Sequence, residues 1–339
     1  MDTRAEHWLE AGDYFDWKPP GGSAPLRIFH AEFGDPEAPL LQLVHGFPTS
    51  SIDWYDVVEA LSGERRVCVL DFPGFGFSDK PKDATYTLER DCELLDFHLR
   101  DVLGAEGGAV VSHDRGDSVA LAFAARCDAG ATPFRLTNLV LSNGNMFLPL
   151  SNLTEFQTLV LDEATAPQAL EQITPELLAA GLGQTTFTPV RGPEDPAIRA
   201  LADTFEVNDG VAVLHDTIQY LVERSENEES WLEALSRSSV PTALVWGLYD
   251  TVSPPRVAAH IWNVFLSTKP GENTFWLLPG ANHYLQHDQP REFAQVVLAV
   301  LGGSISQAPG PLSEEAAAPL LVDASRAELP SAKDVLAGS

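Results

Sequence analysis

The chain has 339 residues, 44% of them hydrophobic, enough to bury a sizeable core in one large domain or two ordinary ones. A formal net charge of −28 argues against nucleic acid and anionic membrane as partners, because an acidic surface repels phosphate. No apolar run is long enough to span a bilayer, and residues 1–22 are polar without a signal-peptide pattern, so a soluble cytoplasmic protein is expected.

From residue 26 onward, short β-branched runs alternate with helical patterns, the signature of a mostly parallel sheet covered by helices on both faces. The strands are placed at residues 26–33, 40–45, 67–72, 109–112, 136–142, 242–246 and 274–278, with helices at 88–103 and 115–127 among those between them. Between residues 145 and 238 apolar positions recur at helical spacing with no convincing strand, which reads as a helical insertion capping the carboxyl ends of the strands. Residues 1–144 and 239–302 are then two parts of one core, and residues 303–339, rich in Ala, Pro, Ser and Glu, are expected to be a disordered acidic tail. Cys68, Cys92 and Cys127 are widely spaced and read as reduced and structural. No phosphate-binding glycine loop and no metal-ligand spacing occurs, so neither cofactor nor metal is expected.

The chemistry concentrates in Val110-Val111-Ser112-His113-Asp114-Arg115-Gly116, an apolar strand running into a helix with a small residue two before and two after Asp114. That is the pattern of a nucleophile elbow with aspartate where serine is usual. Ser112 lacks small flanking residues; Ser118 has them but falls about a turn inside the following helix, and a capping role for Asp114 without chemistry is the third reading. His45-Gly46-Phe47-Pro48 follows the second strand, where the backbone amides of Phe47 and Arg115 would form an oxyanion hole. A histidine base is expected after the last strand, and Pro279-Gly280-Ala281-Asn282-His283 supplies His283, with His287 as the alternative. Asp250 follows strand 242–246 and is the expected orienting acid; Asn143-Gly144-Asn145, after strand 136–142, offers no carboxylate. His45, Pro48, Trp54, His113 and Tyr284 are the candidate lining of a substrate pocket.

The order Asp114, Asp250, His283 is nucleophile, acid, histidine, the order of the α/β-hydrolase fold. With His45-Gly46-Phe47-Pro48-Thr49-Ser50-Ser51, Asp71-Phe72-Pro73-Gly74-Phe75-Gly76-Phe77-Ser78-Asp79-Lys80-Pro81 and Ser112-His113-Asp114, the chain resembles the epoxide hydrolase and haloalkane dehalogenase branch of that superfamily. The resemblance covers residues 26–300 and implies a mechanism in which the aspartate attacks carbon to make an alkyl ester that a histidine-activated water hydrolyses. It also implies a tyrosine on the cap that protonates an opening epoxide, and Tyr220, the only tyrosine between residues 87 and 248, matches that position. The expected activity is therefore epoxide hydrolysis, on a small neutral organic substrate with water as second reactant. Dehalogenation is the alternative, although Arg115 stands where haloalkane dehalogenases resembling this chain carry tryptophan, and Ser118 where haloacetate dehalogenases carry a second arginine. A serine-type esterase and a non-catalytic binding protein remain as further readings.

Overall fold

A computed structural model describes residues 1–22, 24–82, 84–303 and 317–326. Nine strands, β1 (Gly12–Trp17), β2 (Leu26–Phe33), β3 (Leu40–Val44), β4 (Arg66–Leu70), β5 (Gly107–His113), β6 (Arg135–Ser142), β7 (Thr242–Gly247), β8 (Thr274–Leu278) and β9 (Leu320–Ala324), form one sheet in the order β1-β2-β4-β3-β5-β6-β7-β8-β9. Neighbours from β4 through β3 to β8 are parallel, whereas β1, β2 and β9 are antiparallel to the strands they join. Central strands such as β3 and β7 are buried along their whole length, as expected where helices cover both faces.

All parallel strands end on one edge, so the loops after β3, β5, β6, β7 and β8 meet there. Between β6 and β7 every regular element is helical, from Leu148–Leu150 to Tyr220–Arg237. The helix Arg115–Asp128 carries the elbow forward from β5.

Two parts of the chain depart from expectation. The polar N-terminus forms a helix, Thr3–Ala11, whose N-cap Asp2 pairs with Arg199 of the insertion at 2.9 Å while Arg4 pairs with Asp56 of the core at 2.9 Å. The expected disordered tail is corrected for residues 320–324: β9 pairs with β8 from Thr274↔Ala324 to Leu277↔Leu320, with Leu321 and Asp323 turned inward and Leu320, Val322 and Ala324 exposed, and covers an otherwise open edge. Asp323 also accepts a hydrogen bond from Trp262 Nε1 at 3.1 Å. The remainder of that expectation, at 304–316 and 327–339, lies outside the described residues.

Candidate active site

The turn from β5 into its helix puts Asp114 at φ 52°, ψ −116°, outside the regions that side-chain-bearing residues favour. Such a turn needs room on both sides. A Cβ on Gly116 would lie 2.6 Å from the Val44 carbonyl oxygen, and one on Gly46 would lie 2.6 Å from Asp114 Cβ. The small residues around the elbow are therefore a packing requirement of the strained aspartate.

Asp114 Oδ1 accepts a hydrogen bond from the Phe47 amide at 2.8 Å, and Oδ2 faces His283 Nε2 at 3.5 Å. His283 Nδ1 lies 3.1 Å from Asp250 Oδ2, and Asp250 Oδ1 accepts from the amides of Val252 and Ser253 at 2.8 and 2.9 Å. The structure thus brings Asp114, His283 and Asp250 into one line. Arg115 is the first helical residue, where a backbone N–H has no partner within its helix.

Electrostatics follow from burial and from this line. Burial opposes the charge on Asp114, yet hydrogen bonds from His283 and Phe47 hold its pKa below the usual 3.8. Burial also opposes protonation of His283, but Asp250 first and Asp114 second carry its pKa up to about 10. Burial raises the pKa of Asp250. In this state the site is an imidazolium held between two carboxylates.

A cavity of about 330 Å³ opens beside the line, walled by Phe47, Pro48, Val252, His283 and Tyr284 of the core and by the insertion segments 154–157 and 173–186. Most of its lining is apolar, and its one charged side chain besides His283 is Glu155. Thr186 accepts from the amides of His283 and Tyr284 at 3.1 and 3.3 Å, tying the insertion to the loop of the histidine.

Pro48 and Tyr284 lie on this wall as expected; three other expected pocket residues do not. His45 is wholly buried, with Nδ1 donating to the Gly46 carbonyl at 2.9 Å and Nε2 accepting from the Phe72 amide at 3.1 Å, and burial drives its pKa down to about 3. His113 donates from Nε2 to the His283 carbonyl at 2.9 Å, behind the line of Asp114, His283 and Asp250. Trp54 is carried inward by the 3-10 turn Ser51–Trp54 and stacks on Phe293.

Tyr220 is buried on the insertion, its ring 6.0 Å from that of Phe47, and its hydroxyl has no hydrogen-bond partner among the described residues. The Arg115 guanidinium turns away from the elbow into a buried ion pair with Asp91, between the rings of Phe75 and Tyr220 at 5.1 and 5.5 Å. Ser118 sits within the helix, its hydroxyl accepting from Arg224 Nη1 at 2.9 Å, and Ser112 donates to Asp117 at 2.5 Å. Neither serine occupies the turn.

Asn143 was passed over because it is not an acid. Held at φ 52°, it donates from Nδ2 to the carbonyls of Asn282 and His283 at 2.9 and 2.7 Å and accepts from the Gly247 amide at 2.9 Å. It joins the ends of β6 and β7 to the histidine loop. The Asn-Gly pair directly after a buried strand was the available signal.

An elbow after the fifth strand, an acid after the seventh and a histidine after the eighth define a hydrolase of the α/β class. Residues 39–290 match the alpha/beta hydrolase fold family, and the chain belongs to it. Similar proteins include LipZ of Mycobacterium tuberculosis, 32% identical over 84% of this chain and 97% of that one. The mesoderm-specific transcript protein of Mus musculus is 32% identical over 87% of each chain. Epoxide hydrolase 3 of Mus musculus is 26% identical over 84% of this chain and 76% of that one. Among the described residues, no helix is long and apolar enough to cross a membrane, and no cluster of side chains suits a metal ion.

Proposed function

We propose that this protein hydrolyses epoxides to vicinal diols through an alkyl ester on Asp114. The observation that carries the reading is a carboxylate at the elbow, bonded to the Phe47 amide on one oxygen and facing His283 Nε2 at 3.5 Å on the other. A carboxylate is ionised near neutral pH and needs no base to become a nucleophile, which leaves the histidine for water.

In the first half-reaction an Asp114 oxygen attacks an epoxide carbon, the carbon–oxygen bond of the ring breaks, and the departing oxygen takes a proton from the Tyr220 hydroxyl. That hydroxyl is buried, has no protein partner, and stands close enough to Asp114 for the carboxylate to raise its pKa further beyond what burial does. Forming the ester removes the charge of Asp114. His283 then loses one of the two carboxylates that hold its proton, so burial pulls its pKa down, the proton passes to the Tyr220 phenolate, and the neutral ring becomes a base. It takes a proton from water, whose oxygen attacks the ester carbonyl. The resulting oxyanion rests on the amides of Phe47 and Arg115, and collapse frees the diol and the carboxylate. Asp250 holds the ring, which keeps the proton taken from water and so returns to the protonated state of the free site.

The cavity favours a neutral, lipophilic substrate: its wall is mostly apolar, and a carboxylate-bearing haloacid would meet Glu155. The arginine that could clamp such an acid is engaged with Asp91. The likeness to epoxide hydrolase 3 points the same way.

His283→Gln, given a panel of aryl and alkyl epoxides and haloalkanes, is expected to accumulate an ester on Asp114 with a mass increase equal to the epoxide. Asp114→Ala should show none. Halide release without diol would assign dehalogenation instead, and an adduct on Ser118 would make the protein a serine hydrolase.

A further inference from the structure

Four residues beyond the proposed base, on the short helix Leu285–Asp288, His287 is buried between two carboxylates outside the catalytic line. Its Nδ1 lies 2.9 Å from Asp56 Oδ2, and its Nε2 lies 3.9 Å from Asp53 Oδ1. Asp53 is wholly buried. Its other oxygen accepts from the Thr49 hydroxyl, and Oδ1 has no hydrogen-bond partner among the described residues. Asp56 also takes Arg4 Nη1 at 2.9 Å.

A wholly buried carboxylate is stable in its charged form only beside a positive group. Burial raises the pKa of Asp53, and the His287 ring is the group that opposes the rise.

The position of this ring gives it a consequence for the site. Asp53 belongs to the 3-10 turn Ser51–Trp54, which directly follows the loop that presents the Phe47 amide to Asp114. His287 belongs to the loop of His283, and its own carbonyl accepts from Arg191 of the insertion at 2.7 Å. Its ring lies 5.6 Å from that of Phe187, which stacks at 4.8 Å on Tyr284, a residue of the cavity wall. The oxyanion loop, the base loop and the insertion therefore meet on one imidazole.

We propose that His287 is a positioning residue which, as an imidazolium between Asp53 and Asp56, locks the oxyanion loop to the base loop and so sets the distance between the Phe47 amide and His283. This deepens the reading of Asp114 and His283 as the reacting pair and rests on it. The other groups facing His287 are Asp288 beside it, His113 and Tyr284 from the site, and Arg4 through Asp56. Burial opposes protonation, but Asp53 and Asp56 outweigh it and hold the pKa above 6.5. The lock is accordingly closed below pH 6.5 and opens as pH rises through the higher folded-state value.

The test separates the charge from its effect on catalysis. Ring-nitrogen NMR of the full chain without substrate should show His287 titrating above 6.5, and Asp53→Asn should lower that value. With an accepted epoxide, His287→Gln should cut kcat on the order of tenfold with little change in KM and abolish the kcat limb that coincides with the NMR titration. The double variant Asp53→Asn/His287→Gln, which removes both charges, should recover most of the loss. A side chain that only fills space would show no such recovery, and that outcome overturns the proposal. So does a His287 that titrates below 6.5. The NMR arm needs no turnover, so failure on epoxides alone would count against the proposed function and leave this arm standing.

Discussion

The Asn143 amide nitrogen donates to the carbonyl oxygen of His283 at 2.7 Å, so the end of β6 holds the backbone of the loop that carries the proposed base. The same side chain reaches the Asn282 carbonyl and accepts from the Gly247 amide, joining three loops through one residue. Asn143→Gly keeps the backbone at φ 52° accessible while deleting all three bonds. We expect kcat to fall by on the order of ten- to a hundredfold with KM little changed, because a small displacement of the base disturbs the transition state more than binding. Steady-state kinetics check this, and an unchanged kcat would make Asn143 a structural tether only.

Arg115 and Asp91 form an ion pair that is buried on both sides. Arg115→Ala strands Asp91, whose pKa burial already raises to about 6, and should cost on the order of 3–5 kcal/mol. The sign of the pH dependence follows. A carboxyl with a folded-state value above its unfolded one stabilises the fold when protonated, so the loss should be smaller at pH 5 than at pH 8. Replacing Asp91 with leucine as well should restore much of the stability. Denaturant unfolding at the two pH values reads both effects, and a pH-independent loss would mean that Asp91 stays neutral throughout.

How far the sequence carried can be judged from particular residues. β2 is found at the expected residues 26–33, and the sequence-expected elbow coincides with the end of β5 because an apolar run broken by small residues leaves few alternatives. That Asp114, Asp250 and His283 meet was legible from order along the chain, since parallel strands bring the loops that follow them to one edge. β1 and β9 were not legible: both are edge strands, and neither Gly-Asp-Tyr-Phe-Asp-Trp nor Leu-Leu-Val-Asp-Ala alternates apolar with polar residues, so tertiary pairing defines them. His45, Trp54 and His113 were misplaced because proximity in sequence to the oxyanion loop and the elbow does not tell which way a side chain turns.

The edge strand β9 makes a direct prediction. A chain ending at Gly303 loses β9 and the bond from Trp262 to Asp323, and it leaves the apolar strand β8 as an open edge. We expect its Tm to drop by on the order of 5 °C and its aggregation on heating to become concentration-dependent. A chain ending at Arg326 keeps β9 and should melt above the chain ending at Gly303. Equal melting of the two shortened proteins would show that the strand contributes nothing.

Tyr220 separates stability from catalysis. Its buried hydroxyl lacks a protein partner, so Tyr220→Phe removes an unsatisfied polar group and should leave the Tm unchanged or slightly higher. Ring opening should nonetheless slow by on the order of a hundredfold as the proposed proton donor is lost. Single-turnover mixing with an epoxide reads the step, and an unaltered rate would return Tyr220 to packing against Phe47.

On the proposed mechanism, the charge relation between Asp114 and His283 gives the two half-reactions different pH profiles. In the free enzyme the Asp114 pKa lies below 3.8 and that of His283 near 10, so the carboxylate is ionised and the ring protonated across the neutral range. Ester formation needs only the carboxylate, so Asp114 and His283 impose no pH dependence on it between about pH 5 and pH 9, and the one limb expected there is that of His287. Ester hydrolysis needs the neutral ring. Esterification removes the Asp114 charge, so the His283 pKa falls, and the hydrolytic rate should rise with pH to a plateau whose midpoint lies well below the free-enzyme value. Stopped-flow measurement of adduct formation and decay gives the two profiles, and ring NMR of the free enzyme gives the reference titration. A hydrolytic midpoint equal to the free-enzyme value would mean that the ester does not release the proton of His283, and the base would then have to be sought elsewhere on the loop, with His287 the first residue to substitute.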